Sequence, residues 1–530
     1  MRLILLFAAP LSSQQNTPNL NLLARVDPAA PGIRYSEVTG CGELAIIAAF
    51  SNNSSVWIYD LADKTNPLQL AAIYVGRSVK DVQVHGRYLF VSFDNGMKWY
   101  DILDPRRPQL VNDFKPAPGI NAHTFFVSGN ILYIADYLSG GIRIFDITDK
   151  KNPQPLTDIL DSSWGIHDMT VIRGLLYGAW INGEGGLSWI DVSNPARPRE
   201  LAKVRYPQAG THNAWPTEDG KFILTTDEVD GTRHNLKIWD TRTAGQLTQA
   251  AEFSVGVSPA STIHNVYVRG RYAYMSYYCE GVRIVDMIDP ANPKEAAFYD
   301  LNGNTPCASY NSNWGVYPFA NLIYASDMEQ GLYVFEFADH PPANIAGQVV
   351  ESKTSAPVSG AMVYFLDEYP TSRTNAAGRF DIPWFKNDTV RVATEAIGYR
   401  PDTSVVITSV GGKTTPTIRL LPLTTRVDET AERPNDFALL ANYPNPILLT
   451  QTSSTQIVFR LPRREYVQLE IYNVLGQRVR ILLNEPRDSG QHAIFWNGVN
   501  DEGQRVAAGV YLARLAAGNF IAERKMTLVR

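Results

Sequence analysis

One short pattern recurs seven times over the first two thirds of the chain, and each copy closes on an acidic residue. The copies end at Asp60, Asp101, Asp146, Asp191, Asp240, Asp286 and Glu336, spaced 41, 45, 45, 49, 46 and 50 residues apart. Val56-Trp57-Ile58-Tyr59-Asp60 and Ile142-Arg143-Ile144-Phe145-Asp146 are representative. A period of about 40–50 residues built from short β-rich runs predicts a β-propeller, with one four-stranded blade per repeat. Function is therefore sought on a ring of seven similar units, not in a lone motif.

The repeat around Ile263 to Phe298 gives the strand plan. His264–Val268, Tyr272–Tyr277, Gly281–Asp286 and Lys294–Tyr299 read as four strands. Asp289-Pro290-Ala291-Asn292-Pro293 reads as a turn, since Pro presets φ and Asp or Asn closes the turn with its side chain. The same punctuation returns at Asp63–Pro67, Asp104–Pro108, Asp149–Pro153 and Asn194–Pro198. The seventh repeat lacks a fourth strand, because Asp339-His340-Pro341-Pro342 cannot continue a central one. Leu20–Val26 resembles the other fourth strands, such as Glu200–Val204, and is expected to close the ring and leave no long exposed edge.

Beyond Pro342 the period stops. Short alternating runs between Gly and Pro turns, from Ile345–Val350 to Ala396–Tyr399, predict a small β-sandwich over 343–422. Residues 423–435 are polar and aperiodic, which is linker composition. Alternation resumes over 436–530, where Gly509–Leu515 and Phe520–Met526 read as hairpin partners around Gly518-Asn519. The fold class is thus all-β: a seven-bladed β-propeller over 20–338, followed by two small β-sandwich domains.

Met1-Arg2, about nine apolar residues and then Ser12-Ser13-Gln14-Gln15 read as a secretory signal peptide over 1–15. That apolar run is too short to span a membrane, and no transmembrane segment is expected in the mature chain. The net charge of −5 and the absence of a basic run argue against nucleic acid as a partner. The three cysteines form no C-x-x-C pair, so a zinc ribbon or thioredoxin-type site is not expected. Cys279 and Cys307 lie in neighbouring repeats, and either a disulfide in an exported chain or buried thiols fits them.

The repeats resemble the LVIVD-type propeller repeat, and their order resembles the bacterial surface propellers called "choice-of-anchor B". The resemblance rests on Thr211-His212-Asn213-Ala214-Trp215, Asp227-Glu228, His264-Asn265-Val266-Tyr267-Val268 and Asn313-Trp314-Gly315-Val316-Tyr317-Pro318, and spans about 35–338. It implies a fold and no established reaction. Residues 343–422 resemble the regulatory-like domain behind some carboxypeptidases, without the catalytic domain. Residues 436–530 resemble the type A C-terminal sorting domain of the type IX secretion system. That resemblance implies the type IX machinery as a partner, and a final location outside the cell or on the outer-membrane surface.

Aligning the repeats on their first strands gives three informative columns. The first is Ser36, Lys80, His123, His167, His212, His264 and Trp314, and the second is Glu37, Asp81, Thr124, Asp168, Asn213, Asn265 and Gly315. The third closes the second strand and includes Asp136, Asp227 and Asp327. All three are expected at one mouth of the central channel. Two readings stand. In one, His123, His167, His212 and His264 with Asp168, Asn213, Asn265 and Trp314 bind a polar ligand, a glycan or a protein, and Asp136, Asp227 and Asp327 join in holding a divalent metal. In the other, His123 with Asp136 and His212 with Asp227 are cross-strand pairs that orient each blade. No G-x-S-x-G elbow, H-E-x-x-H pair, P-loop or dinucleotide loop occurs, so no catalytic residue is assigned. Three function classes remain: a surface binding protein, a propeller hydrolase or lyase with a channel metal, and a structural envelope protein.

Overall fold

A computed structural model describes residues 16–529, except 29–31, 52–53, 117–119, 138–139, 161–164, 182–184, 208, 229–234, 256–261, 302–309, 340–344, 383–387, 409–413, 424–435, 441, 443–444, 446, 449–454 and 502–503. The leader read at 1–15, most of the linker and Cys307 lie outside the described residues. Cys41 is free and buried, and Cys279 is disulfide-bonded. The chain divides into two compact units, Met1–Leu423 and Thr424–Arg530. Every regular element among the described residues is a strand, so no helix there is long and apolar enough to cross a membrane.

In the first unit, seven antiparallel four-stranded sheets follow the sequence repeat among the described residues. Their first strands are Tyr35–Cys41, Val79–His85, Ala122–Ser128, Ile166–Ile172, Thr211–Pro216, Ile263–Arg269 and Asn313–Phe319. Each first strand contacts the next, and the last contacts the first, so the sheets close into a propeller-like ring. Burial follows position in the blade. Tyr35–Cys41 is buried throughout, whereas the fourth strand Leu68–Tyr74 is largely exposed. Inner strands carry near-continuous apolar runs because neighbouring blades cover both of their faces, as in the cluster of Ile47, Ala135, Leu224 and Met275.

The recurring acidic residue has a local cause. In six of the seven sheets the carboxylate that ends the third strand accepts the amide two residues on, as in Asp60 from Ala62 at 2.9 Å, Asp101 from Leu103 at 3.0 Å, Asp146 from Thr148 at 2.8 Å and Asp286 from Ile288 at 2.9 Å. The next turn repeats the device, with Asp63 accepting Thr65 N at 3.1 Å and Asp289 accepting Ala291 N at 3.2 Å. Short acidic side chains that bond their own backbone fix the reversal into the outer strand.

The seventh sheet takes its outer strand from the start of the chain, in the order expected from the missing fourth strand. Leu20–Val26 pairs antiparallel with Gly331–Phe337, from Leu20 opposite Phe337 to Val26 opposite Leu332. Leu20 is fully buried among Phe335, Phe337 and Tyr299.

The small sandwich packs one sheet of Ile345–Glu351, Arg379–Ile382 and Thr417–Leu420 on another of Met362–Phe365, Thr371–Arg373, Asp388–Glu395 and Asp402–Thr408, around Val349, Phe380, Val392 and Ile418. It seats on the turns that end the propeller's first strands. Gly86 N donates to Thr371 Oγ1 at 2.8 Å, Arg173 N donates to Glu368 Oε2 at 2.9 Å, and Arg87 pairs with Glu395 at 3.0 Å. The second unit is a separate two-sheet sandwich around Phe459, Leu469, Trp496 and Leu515. Its hairpin turns through Gly518-Asn519, with Ala517 opposite Phe520 and Gly518 at φ +58°, a value that a two-residue turn demands and glycine supplies.

Deleting residues 16–30 should strip the seventh sheet of its outer strand and expose the edge of Gly331–Phe337. Size-exclusion chromatography is expected to show aggregation, with a lowered melting temperature. A monomeric variant with unchanged melting would contradict ring closure by this strand.

Candidate functional site

The first strand of every repeat slips register at the same place. Ala122 pairs with Asp136 and then Thr124 with Ala135, so His123 has no partner between them. The same step isolates His167 between Ile166 and Asp168, His212 between Thr211 and Asn213, and Trp314 between Asn313 and Gly315. In three other sheets the slip takes in two residues: Ser36 and Glu37, Lys80 and Asp81, His264 and Asn265. A β-bulge inserts an unpaired residue and re-aims its side chain. Here the re-aimed side chains, Ser36 excepted, line one cavity.

The imidazoles form a continuous arc along the cavity wall. Ring centroids are 4.3 Å apart for His123 and His167, 4.2 Å for His167 and His212, 4.0 Å for His212 and His264, and 4.7 Å for His264 and Trp314. Bonds from the preceding blade hold the backbone beneath them. Ser92 Oγ donates to His123 O at 3.1 Å, Thr124 Oγ1 donates to His167 O, and Thr226 Oγ1 donates to His264 O at 2.8 Å. Burial lowers His123 to about 4 and His264 to about 3, and holds His167 and His212 well below the usual imidazole value. Neighbouring imidazoles push His167, His212 and His264 the same way, so the arc is neutral at pH 7.

A polar tier continues the wall. Asn213 Nδ2 donates to Asp168 Oδ2 at 2.6 Å, Asn265 Nδ2 donates to Glu37 Oε2 at 2.8 Å, and Phe125 N donates to Asp81 Oδ2 at 3.2 Å. Burial raises Asp81 to about 8, Asp168 to about 6 and Glu37 well above the carboxylate range, and the mutual repulsion of the carboxylates raises Glu37 and Asp81 further.

The far end is sealed by the small sandwich. Tyr369 is buried in the channel, its hydroxyl 2.6 Å from that of Tyr317 and its ring 5.6 Å from Phe126 and 6.4 Å from Trp215. Above this floor lies a cavity of about 330 Å³, lined by all four histidines, Asp168, Asn213, Asn265 and Trp314. Phe50, Glu228, Tyr278 and the exposed Arg34 and Tyr310 also line it.

The structure therefore brings the first two columns together and parts them from the third. Asp136, Asp227 and Asp327 sit at the register expected, opposite the residue before each bulge, but their carboxylates are engaged elsewhere. Asp136 pairs with Arg143 at 3.0 Å and accepts Asn121 N at 3.0 Å. Asp227 binds Lys237 and accepts Tyr206 Oη at 2.6 Å. Asp327 accepts Ser312 Oγ at 2.8 Å and two backbone amides, Glu329 N and Gln330 N, at 2.9 and 2.8 Å. These three carboxylates thus serve structural bonds within their own blades, and among the described residues no bond joins His123 to Asp136 or His212 to Asp227. Strand alternation explains the difference: the residue one place further on faces the cavity. That column runs through Phe50, Glu228, Tyr278 and Met328, all in the lining. The sequence signal for it was the period-two alternation past Asp227, which points to Glu228. Tyr369 had no such signal, since its role depends on how two domains dock.

Comparison with known proteins agrees with this architecture. Four stretches match the LVIVD repeat, at 76–115, 121–155, 179–205 and 262–301. Residues 344–421 match the carboxypeptidase regulatory-like domain, and 445–519 match the FlgD Ig-like domain. Repeat and Ig-like domain types of this kind are typical of extracellular or surface proteins. No curated protein matches the chain. Among solved structures, the crystal structure of the computationally designed Ika8 protein is similar at 12% identity and a TM-score of 0.42, covering 60% of this chain and 99% of that one.

The acidic tier has a pH signature. A carboxyl raised on folding binds a proton that the unfolded chain releases above about 4, so its destabilisation grows as pH climbs from there towards its folded value. For Asp81 that value is about 8. Asp81→Asn should raise the melting temperature more at pH 8 than at pH 5. An equal gain at both, or a loss at pH 8, would contradict the buried-carboxyl account.

Proposed function

We propose that the chain is an exported, surface-displayed or released propeller protein that binds a small polar ligand in the cavity at the bulge end of its ring. The observation that carries the reading is the cavity itself, about 330 Å³ and floored by Tyr369. That volume falls in the range of small-molecule sites, which are concave and apolar-walled with a few placed polar groups. Here the aromatic wall is Phe50, Tyr278 and Trp314, and the polar groups are Asn213, Asn265 and the imidazole arc. A hydroxyl-rich ligand such as a sugar matches both: rings to lie against, and acceptors and donors to meet its oxygens. A floor closed by a second domain favours a ligand that enters and leaves by one mouth over a chain threaded through the ring.

Isothermal titration of the full chain against mono- and oligosaccharides tests this. Saturable binding is expected, with Trp314→Ala lowering affinity at least about tenfold while melting stays unchanged. Absence of binding across the panel, together with a protein partner that covers the mouth, would contradict a small-ligand site.

Export is proposed to proceed through the leader at 1–15 and then through the type IX machinery acting on 436–530, leaving the propeller on the outer-membrane surface or free outside the cell. The C-terminal unit has its own core, so the first unit should fold without it. A chain ended after Leu423 should fold yet accumulate in the periplasm of a type IX-competent host. Surface display of that truncated chain would refute the sorting role.

A further inference from the structure

Three donors from two neighbouring blades converge on the cavity wall. His167 and His212 come from adjacent bulges, and Glu228 follows the second strand of the His212 sheet. One ligand atom from each lies within 4.8 Å of the others, and His212 Nε2 is 3.6 Å from Glu228 Oε2. The Nδ1 atom of His167 is buried with no hydrogen-bond partner among the described residues. A buried polar nitrogen left without a partner is unfavourable and calls for an explanation. Glu228 is already oriented, because Tyr278 Oη donates to its Oε1 at 3.1 Å and leaves Oε2 turned to His212.

We propose that His167, His212 and Glu228 hold a divalent transition ion of the zinc class, with an open coordination position facing the cavity. Two imidazoles and one carboxylate are donors that such an ion accepts, and three protein ligands leave a place for an exogenous oxygen. Calcium and magnesium prefer oxygen-only shells, so two imidazoles select against them. The surrounding charge permits the ion. Lys80 is the cation that acts on His167, and it is paired with Asp94 at 3.4 Å. The carboxyls of Glu37, Asp81 and Asp168 line the same cavity and add no positive charge to it. His264, whose Nε2 is 4.0 Å from Glu228 Oε1, is anchored by its Nδ1 to Trp314 O at 2.7 Å and flanks the site. The inference rests on the cavity being the binding site, and adds how the protein would grip a ligand oxygen there.

The full chain, treated with a chelator and dialysed, is titrated with Zn²⁺ alone and with Co²⁺ alone. One equivalent of Zn²⁺ is expected, with a raised melting temperature, and Co²⁺ should give visible absorption from a nitrogen-ligated, low-coordinate ion. His212→Ala and Glu228→Gln should each weaken Zn²⁺ binding at least about tenfold. His492→Ala, in the other compact unit, should change nothing. If His212→Ala fails to fold, Glu228→Gln and the wild-type Co²⁺ spectrum decide. Uptake well below one equivalent, a Co²⁺ spectrum of the aqueous ion, or wild-type affinity in folded Glu228→Gln overturns the proposal. Sugar binding by the chelated chain that takes up no metal would overturn the metal site and leave the cavity reading standing. Metal uptake without any sugar binding would do the reverse.

Discussion

Each inner strand carries more residues than its neighbour can pair, and the site depends on that mismatch. Without the bulge, strict alternation would turn the four histidines and the residues after them to opposite faces of the sheet. With it, consecutive side chains such as His167 and Asp168, or His212 and Asn213, line one cavity. The backbone at each bulge gives up ladder bonds and recovers some of them across the blade boundary, through Ser92, Thr124 and Thr226. The same bonds fix the backbone beneath His123, His167 and His264 before any ligand arrives, as a preorganised site requires.

The second dependency is the floor. A propeller ring leaves an axial channel, and here the loop bearing Tyr369 fills one end of it. The regulatory-like sandwich therefore has a part in the cavity beyond that of a spacer. Its contacts with Gly86, Arg87 and Arg173 hold Tyr369 against Tyr317, and the cavity has depth because of them. Enclosure also sets the electrostatics. It keeps the arc of imidazoles neutral and holds Glu37 and Asp81 towards their protonated forms.

Much of the fold was legible in the sequence because it is written in repeated local chemistry. The acidic residue and the Asp-Pro or Asn-Pro punctuation mark turns through bonds that each segment makes with itself, and the missing seventh outer strand was recoverable by matching Leu20–Val26 to its counterparts. The histidine column was legible as a recurrence. Its direction was not, since a bulge shifts parity without a fixed sequence signature. Asp227 and Asp327 lie one place short of the lining residues Glu228 and Met328, because side chains alternate past the end of the second strand. Partnerships across blades, such as Asn265 with Glu37, join residues more than two hundred positions apart and leave no trace in a single sequence.

The central claim is that the bulged histidines form a ligand site and are not glue within their own blades. Anomalous diffraction from crystals of the full chain grown with Zn²⁺, recorded on either side of the zinc absorption edge, tests it most directly. The account predicts one strong peak inside the cavity, at about 2.0–2.2 Å from nitrogens of His167 and His212 and an oxygen of Glu228. Anomalous density confined to surface carboxylates, or imidazoles bonded to Asp136 and Asp227 with no peak between them, would contradict it.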